Sequence, residues 1–168
     1  MESDYRTRIY GAYVSARRQS RTPAKFDALK PWLPYLQKVI RQHFPSDRNA
    51  AILDLGCGKG TLIHLARHLG YRNLRGVDSS PEQVAAAKQL CIEGVEEIDV
   101  MDALAKERGA TLDCLISFDM IEHFTRNELI FLVDEVHRVL RSGGRWIIHS
   151  ANAESPFGMK VLYGDFTH

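Results

Sequence analysis

The chain of 168 residues is the length of one domain with a single core. With 45% hydrophobic and 26% charged residues it has an ordinary globular composition, and a net charge of +1 argues against a dominant nucleic-acid surface. No apolar run approaches the roughly 20 residues that span a bilayer. Met1-Glu2-Ser3-Asp4-Tyr5-Arg6 carries no signal-peptide core. Cys57, Cys91 and Cys114 are odd in number and far apart, which points to a reducing, cytoplasmic setting without a disulfide framework or a CxxC zinc site.

Residues 1–48 read as an N-terminal helical arm and residues 49–168 as the core domain. The arm opens with Tyr5, Tyr10 and Tyr13 among Arg6, Arg8, Arg17, Arg18 and Arg21. Such a basic stretch is usually solvated, though it can meet an anionic substrate. Thr22-Pro23 is a helix start. Pro31 and Pro34 break the pattern, and a second helix follows with Leu33, Leu36, Val39, Ile40 and Phe44 on one face.

From Ala51 strands and helices alternate. Ala51–Leu55 is the first strand, Thr61–Leu69 a helix closed by Gly70, and Leu74–Val77 the second strand. Ser80-Pro81-Glu82-Gln83 has Pro at the first helical position and a Ser-x-x-Gln capping box. Val95–Val100 holds a third strand and Leu112–Phe118 a fourth. Thr125-x-x-Glu128 caps a helix bearing Leu129, Leu132, Val133, Val136, Val139 and Leu140. Ser142-Gly143-Gly144 is a tight turn before a fifth strand, Arg145–Ser150. This alternation predicts an α/β fold, a Rossmann-like parallel sheet with helices on both faces.

The first strand ends in Asp54 and runs into Gly56-Cys57-Gly58-Lys59-Gly60, where backbone can approach a ligand closely. Asp78 and Asp102 follow the second and third strands, at the sheet edge where open α/β folds bind ligands. Asp78 is spaced to bind a ribose diol, and Asp102 can accept from an adenine amino group. The glycines are spaced GxGxG, not GxGxxG, and no GK[ST] follows, so a P-loop is not supported. Asp54 would face a dinucleotide's pyrophosphate, where a carboxylate is ill suited; it suits a cation. The pattern favours S-adenosylmethionine, a sulfonium and ammonium cofactor without phosphate, over NAD.

Each residue also has a plainer reading. Asp54 can simply cap a strand end, Cys57 can fill the loop, and His123 can start or pack a helix. His64 and His68 have metal-ligand spacing, but Leu62, Leu65 and Leu69 define the buried face, so a solvated polar face is the better account and no metal site is expected.

Ile52-Leu53-Asp54-Leu55-Gly56-Cys57-Gly58-Lys59-Gly60 resembles motif I of class I S-adenosylmethionine-dependent methyltransferases. Gly76-Val77-Asp78-Ser79-Ser80 resembles their ribose-binding turn and Met101-Asp102-Ala103 their adenine-contacting turn. Phe118-Asp119-Met120-Ile121-Glu122-His123-Phe124 resembles their post-strand-four motif. Leu140-Arg141-Ser142-Gly143-Gly144 resembles their LxPGG turn, with Ser for Pro. The tail from Asn152 to His168 resembles a subgroup linked to bacterial polysaccharide or O-antigen methylation.

The resemblance implies a set of roles. Gly56, Cys57 and Gly58 lie against the methionine part of the cofactor, and Asp54 holds its ammonium. Asp78 binds the ribose diol, with Ser79 beside the adenine, and Asp102 and Ala103 read the adenine edge. Phe118 offers its carbonyl to the ammonium, and a tyrosine of the arm closes as a lid. The acceptor is a small molecule or a saccharide hydroxyl, and His123 is the leading general base, ahead of Asp119 and His149. Family members add two strands after the fifth. The chain is therefore expected to be a truncated enzyme, or a homodimer covering the fifth-strand edge at Trp146-Ile147-Ile148. A non-catalytic binding module and an NAD-dependent oxidoreductase are the alternatives.

Overall fold

The computed structural model describes residues 32–152 together with 154 and 156. The arm tyrosines, the Thr22-Pro23 helix start and most of the tail lie outside the described residues. The elements are α1 (Leu33–His43), β1 (Ile52–Leu55), α2 (Thr61–His68), β2 (Leu74–Asp78), α3 (Pro81–Gln89), β3 (Val95–Glu97), α4 (Val100–Lys106), β4 (Leu112–Phe118), a 3-10 turn (Ile121–His123), α5 (Arg126–Val139) and β5 (Leu140–His149).

All strand pairs are parallel, and the order across the sheet is β3-β2-β1-β4-β5. The order reverses between β1 and β4, which opens a crevice beyond their carboxyl ends. The alternation of side chains along each strand splits the core into two layers. Ile52, Cys114 and Ile116 pack with Ile40 of α1, with Phe44 just after it, and with Leu62, Ile63 and Ala66 of α2. Leu53, Leu55 and Leu115 face the other way, onto Val100 and Leu104 of α4 and Leu132, Val136 and Val139 of α5. The result is the expected three-layer sandwich.

The structure corrects the local expectations in four places. β3 stops at Glu97 instead of reaching Val100, because the Asp99 carboxylate accepts the Met101 N–H at 2.8 Å and starts α4 there. Ser80 stands at the start of α3, but its hydroxyl makes no cap bond and lies buried without a partner, so the Ser-x-x-Gln box does not form. The Ser142-Gly143-Gly144 turn is a bulge inside β5: Leu112 pairs with Leu140 and Cys114 with Arg145, so the extra β5 residues loop out between them. On α5, Val133 is exposed with Ile130 and Phe131, although its spacing suggested a buried position. The Thr125 capping box of α5 does form, with the Glu128 carboxylate accepting the Thr125 N–H at 2.8 Å.

Candidate functional site

The crevice beyond β1 and β4 is a cleft of about 190 Å³ whose lining includes Gly56, Gly58, Asp78, Asp99, Asp119 and His123. Its floor is the turn after β1. Gly56 has φ +68, and a Cβ there would lie 2.7 Å from Met120 Cγ, so only glycine lets the turn pass beneath Met120. The Cys57 N–H donates to the Val77 carbonyl at 2.9 Å, tying the turn to β2. Cys57 fits because β2 carries Gly76 opposite it: a Cβ at Gly76 would lie 2.7 Å from Cys57 Sγ. Cys57 itself does not line the cleft. Burial, Asp54 and Asp78 all push its thiol up, which leaves it protonated and a filler.

Asp78 ends β2 and braces the turn. Its Oδ2 accepts the Gly58 N–H at 2.7 Å and its Oδ1 the Ser80 N–H at 2.9 Å. Burial pushes its carboxyl up, and these two N–H groups oppose that. A carboxylate has about four lone-pair positions, so two remain for a ligand. Ser79 lines the cleft next to it.

Asp54 lies under the loop, 2% exposed, with Oδ1 accepting no hydrogen bond. Burial and then the neighbouring Asp78 push its carboxyl up to about 8. A buried acid with an unpartnered oxygen is costly unless a donor or cation arrives. Asp54 does not itself line the cleft; it ends β1 behind the tight Gly56 turn, and an acid at that place suits a cationic group better than a pyrophosphate.

The adenine-side expectation needs correction. Asp102 is exposed on the first turn of α4 and Ala103 is buried in the core beneath it; neither lines the cleft. Asp99 and Val100 line it instead, because β3 ends earlier and the cap of α4 falls where the turn was expected. Phe118 does not line the cleft either; its ring stacks on His149 at 4.8 Å between centroids.

The fourth wall is the segment after β4: Asp119, Met120, His123 and Phe124 all line the cleft. Asp119 takes φ +49, an uncommon conformation for a non-glycine residue. Its N–H donates to the His149 carbonyl at 2.9 Å, and its Oδ1 lies 2.7 Å from His149 Nδ1. Sequence reasoning missed Asp99, Val100, Gln83, Met120 and Phe124. The Asp-x-x-Asp spacing before α4 was the one available signal for Asp99.

The family description "methyltransferase domain" matches residues 52–144, which spans every wall of this cleft. The chain belongs to the methyltransferase-domain family. It is 27% identical over 154 residues to a ubiquinone biosynthesis O-methyltransferase of Chelativorans sp., covering 84% of this chain and 58% of that protein. It is 34% identical over 112 residues to norajmaline N-methyltransferase of Rauvolfia serpentina, covering 63% of this chain and 37% of that one. Among solved structures, a SAM-dependent methyltransferase from Archaeoglobus fulgidus superposes with a TM-score of 0.70 at 22% identity, covering 81% of this chain and 61% of that one. That likeness speaks to the fold. The chain spans less than two thirds of the length of each of these proteins.

Proposed function

We propose that the cleft binds S-adenosylmethionine and that the chain takes part in methyl transfer to a small-molecule acceptor. The observation that carries this reading is the buried Asp54 carboxylate, with an oxygen lacking a partner, under a turn that only glycine can make. A dinucleotide would set its pyrophosphate against Asp54 and Asp78, which argues against the oxidoreductase alternative. The relatives named for O- and N-methyl transfer agree with a small acceptor. A saccharide hydroxyl is one such acceptor, and His123 at the cleft wall is the proposed proton acceptor for a hydroxyl.

When bound, S-adenosylmethionine supplies a methyl group on a sulfonium that a nucleophile can attack in line. The chain's work is placement. Asp78 holds the ribose diol with the lone pairs left by Gly58 and Ser80, and Ser79 stands beside it. Gly56 and Gly58 admit the methionine backbone, above Cys57 and beneath Met120. Asp54 balances the ammonium, with the Phe118 carbonyl at the strand end as a second acceptor. Asp99 and Val100 meet the adenine. Titration calorimetry with S-adenosylmethionine and S-adenosylhomocysteine tests this reading: micromolar binding of either supports it, and binding of neither overturns it. The dimer through the β5 edge is part of the same proposal, since β5 pairs only with β4 among the described strands; light scattering showing a monomer counts against it.

A further inference from the structure

The outer face of α5 carries apolar surface that the fold does not use. Among the described residues six large hydrophobic side chains are exposed, and three of them, Ile130, Phe131 and Val133, fall within four consecutive positions of this helix. They are 63%, 65% and 51% exposed, so each leaves most of its surface in water. The helix does not need them to hold its place, because Leu132, Val136 and Val139 fill its inner face against the sheet. Single exposed hydrophobic residues are normal on a protein surface, but a contiguous group on one helix face marks a contact.

The free charges of that face are arranged about Ile130. Residues four apart on a helix are separated by about 40° around the axis and by about 6 Å along it. Arg126, Ile130 and Asp134 therefore form one ridge, with Ile130 at its centre. Arg126 and Asp134 are exposed, and neither takes part in an ion pair among the described residues. Other charged groups of α5 are engaged within the chain: Glu128 accepts the Thr125 N–H, and Glu135 holds Arg138 at 2.7 Å. Phe131 and Val133 flank the ridge on opposite sides.

Such a ridge is complementary to its own copy. Take two α5 helices antiparallel, related by a two-fold axis at Ile130. Ile130 then meets Ile130, and each Arg126 stands opposite Asp134 of the other copy, because the two lie four residues from the axis on opposite sides. Parallel helices in register would instead oppose Arg126 with Arg126 and Asp134 with Asp134. Ridges of this four-residue spacing interdigitate in the commonest mode of helix packing, and a contact of one patch with itself closes as a dimer.

We propose that the outer face of α5 is a homodimer contact: two copies of this chain meet antiparallel about Ile130, with Phe131 and Val133 beside the axis and Arg126 of each copy paired with Asp134 of the other. The occupant is a second copy because one ridge supplies both members of each ion pair. This contact is separate from the β5 edge and does not depend on what the cleft binds. A single helix face is small for a specific interface, so the dimer should form in the micromolar range and dissociate on dilution.

Sedimentation velocity of the full chain, over a roughly hundredfold range of concentration about the micromolar, tests this. The wild-type chain should pass from monomer to dimer. Ile130→Arg sets two like charges at the axis and should weaken the dimer about a hundredfold. Arg126→Asp and Asp134→Arg each turn two attractions into two repulsions and should each weaken it about tenfold. An equimolar mixture of these two single variants should recover the dimer as a heterodimer, and R126D/D134R should recover it as a homodimer. Neither recovery follows from damage to the fold or from lost apolar area, so the charge swap decides the matter even if Ile130→Arg fails to fold. A wild-type monomer at every concentration overturns the proposal. So does a dimer that survives Ile130→Arg, which assigns association to another surface such as the β5 edge. Failure of both the mixture and the double variant to dimerise overturns the antiparallel pairing.

Discussion

Asp54→Asn is the most informative single substitution, because it separates the cost of the buried acid from its use. The Asp54 carboxyl is pushed up from 3.8 to about 8 by burial and by Asp78. Between those values the folded chain keeps a proton that the unfolded chain has released. The contribution of Asp54 to stability is therefore greatest below about pH 4, falls by ~1.4 kcal/mol for each pH unit above it, and stops falling once pH passes the folded value near 8. Over the whole window the loss is on the order of 5 kcal/mol, a large share of the 5–15 kcal/mol that holds a typical domain. Asparagine has the same shape and no charge to bury. Urea midpoints at pH 5, 7 and 9 should fall steeply for the ligand-free wild type and much less for Asp54→Asn, with the variant the more stable protein at pH 9. At pH 9, where the wild-type carboxyl is ionised, the same variant should bind S-adenosylmethionine at least tenfold more weakly, since a charge-to-charge contact is lost. Parallel pH dependence in the two proteins would refute the claim that Asp54 is held protonated by its burial.

Other substitutions probe the walls. Gly56→Ala forces a Cβ into Met120 at φ +68 and should cost about 1–3 kcal/mol in chemical denaturation while abolishing measurable cofactor binding. Gly76→Ala drives a Cβ to within 2.7 Å of Cys57 Sγ and should destabilise by about 1–3 kcal/mol; pairing it with a smaller residue at position 57 should recover part of that in a double-mutant cycle. Trp146→Phe removes the Nε1 donor that lies 2.9 Å from the buried Ser117 hydroxyl and should lower stability by about 1–2 kcal/mol without changing cofactor affinity in calorimetry. Under the proposed reaction, His123→Ala should lower kcat for a hydroxyl acceptor about a hundredfold in a methyl-transfer assay, leaving cofactor affinity unchanged.

Much of the frame was legible because it is written in periodicity. The strand cores of β1 and β4 are largely apolar runs, the helices carry 3.6-residue stripes, and Thr125-x-x-Glu128 is a cap that the folded chain uses as written. The cleft lining was legible at Gly56, Gly58 and Asp78, because each combines a residue type and a spacing with one physical job. The failures were of register and competition. Asp99 took the cap of α4 and ended β3 early, which moved the cleft-lining role from Asp102 and Ala103 to Asp99 and Val100. Ser80 was read as a side-chain cap, but at that position Asp78 binds its N–H and its hydroxyl is left in the interior. The bulge in β5 depends on how five residues fit opposite two on β4, which no single-strand pattern encodes. Asp119 and His149 are thirty residues apart and meet only because β4 and β5 are neighbours, so their pairing is a fact of topology.

The central claim is that the cleft holds a cation-bearing adenosyl cofactor without phosphate. Calorimetric titration of the protein with S-adenosylmethionine and, separately, with NAD at pH 7 tests it most directly. The account predicts saturable one-site binding of S-adenosylmethionine and no binding of NAD; the reverse result, or binding of neither, would contradict it.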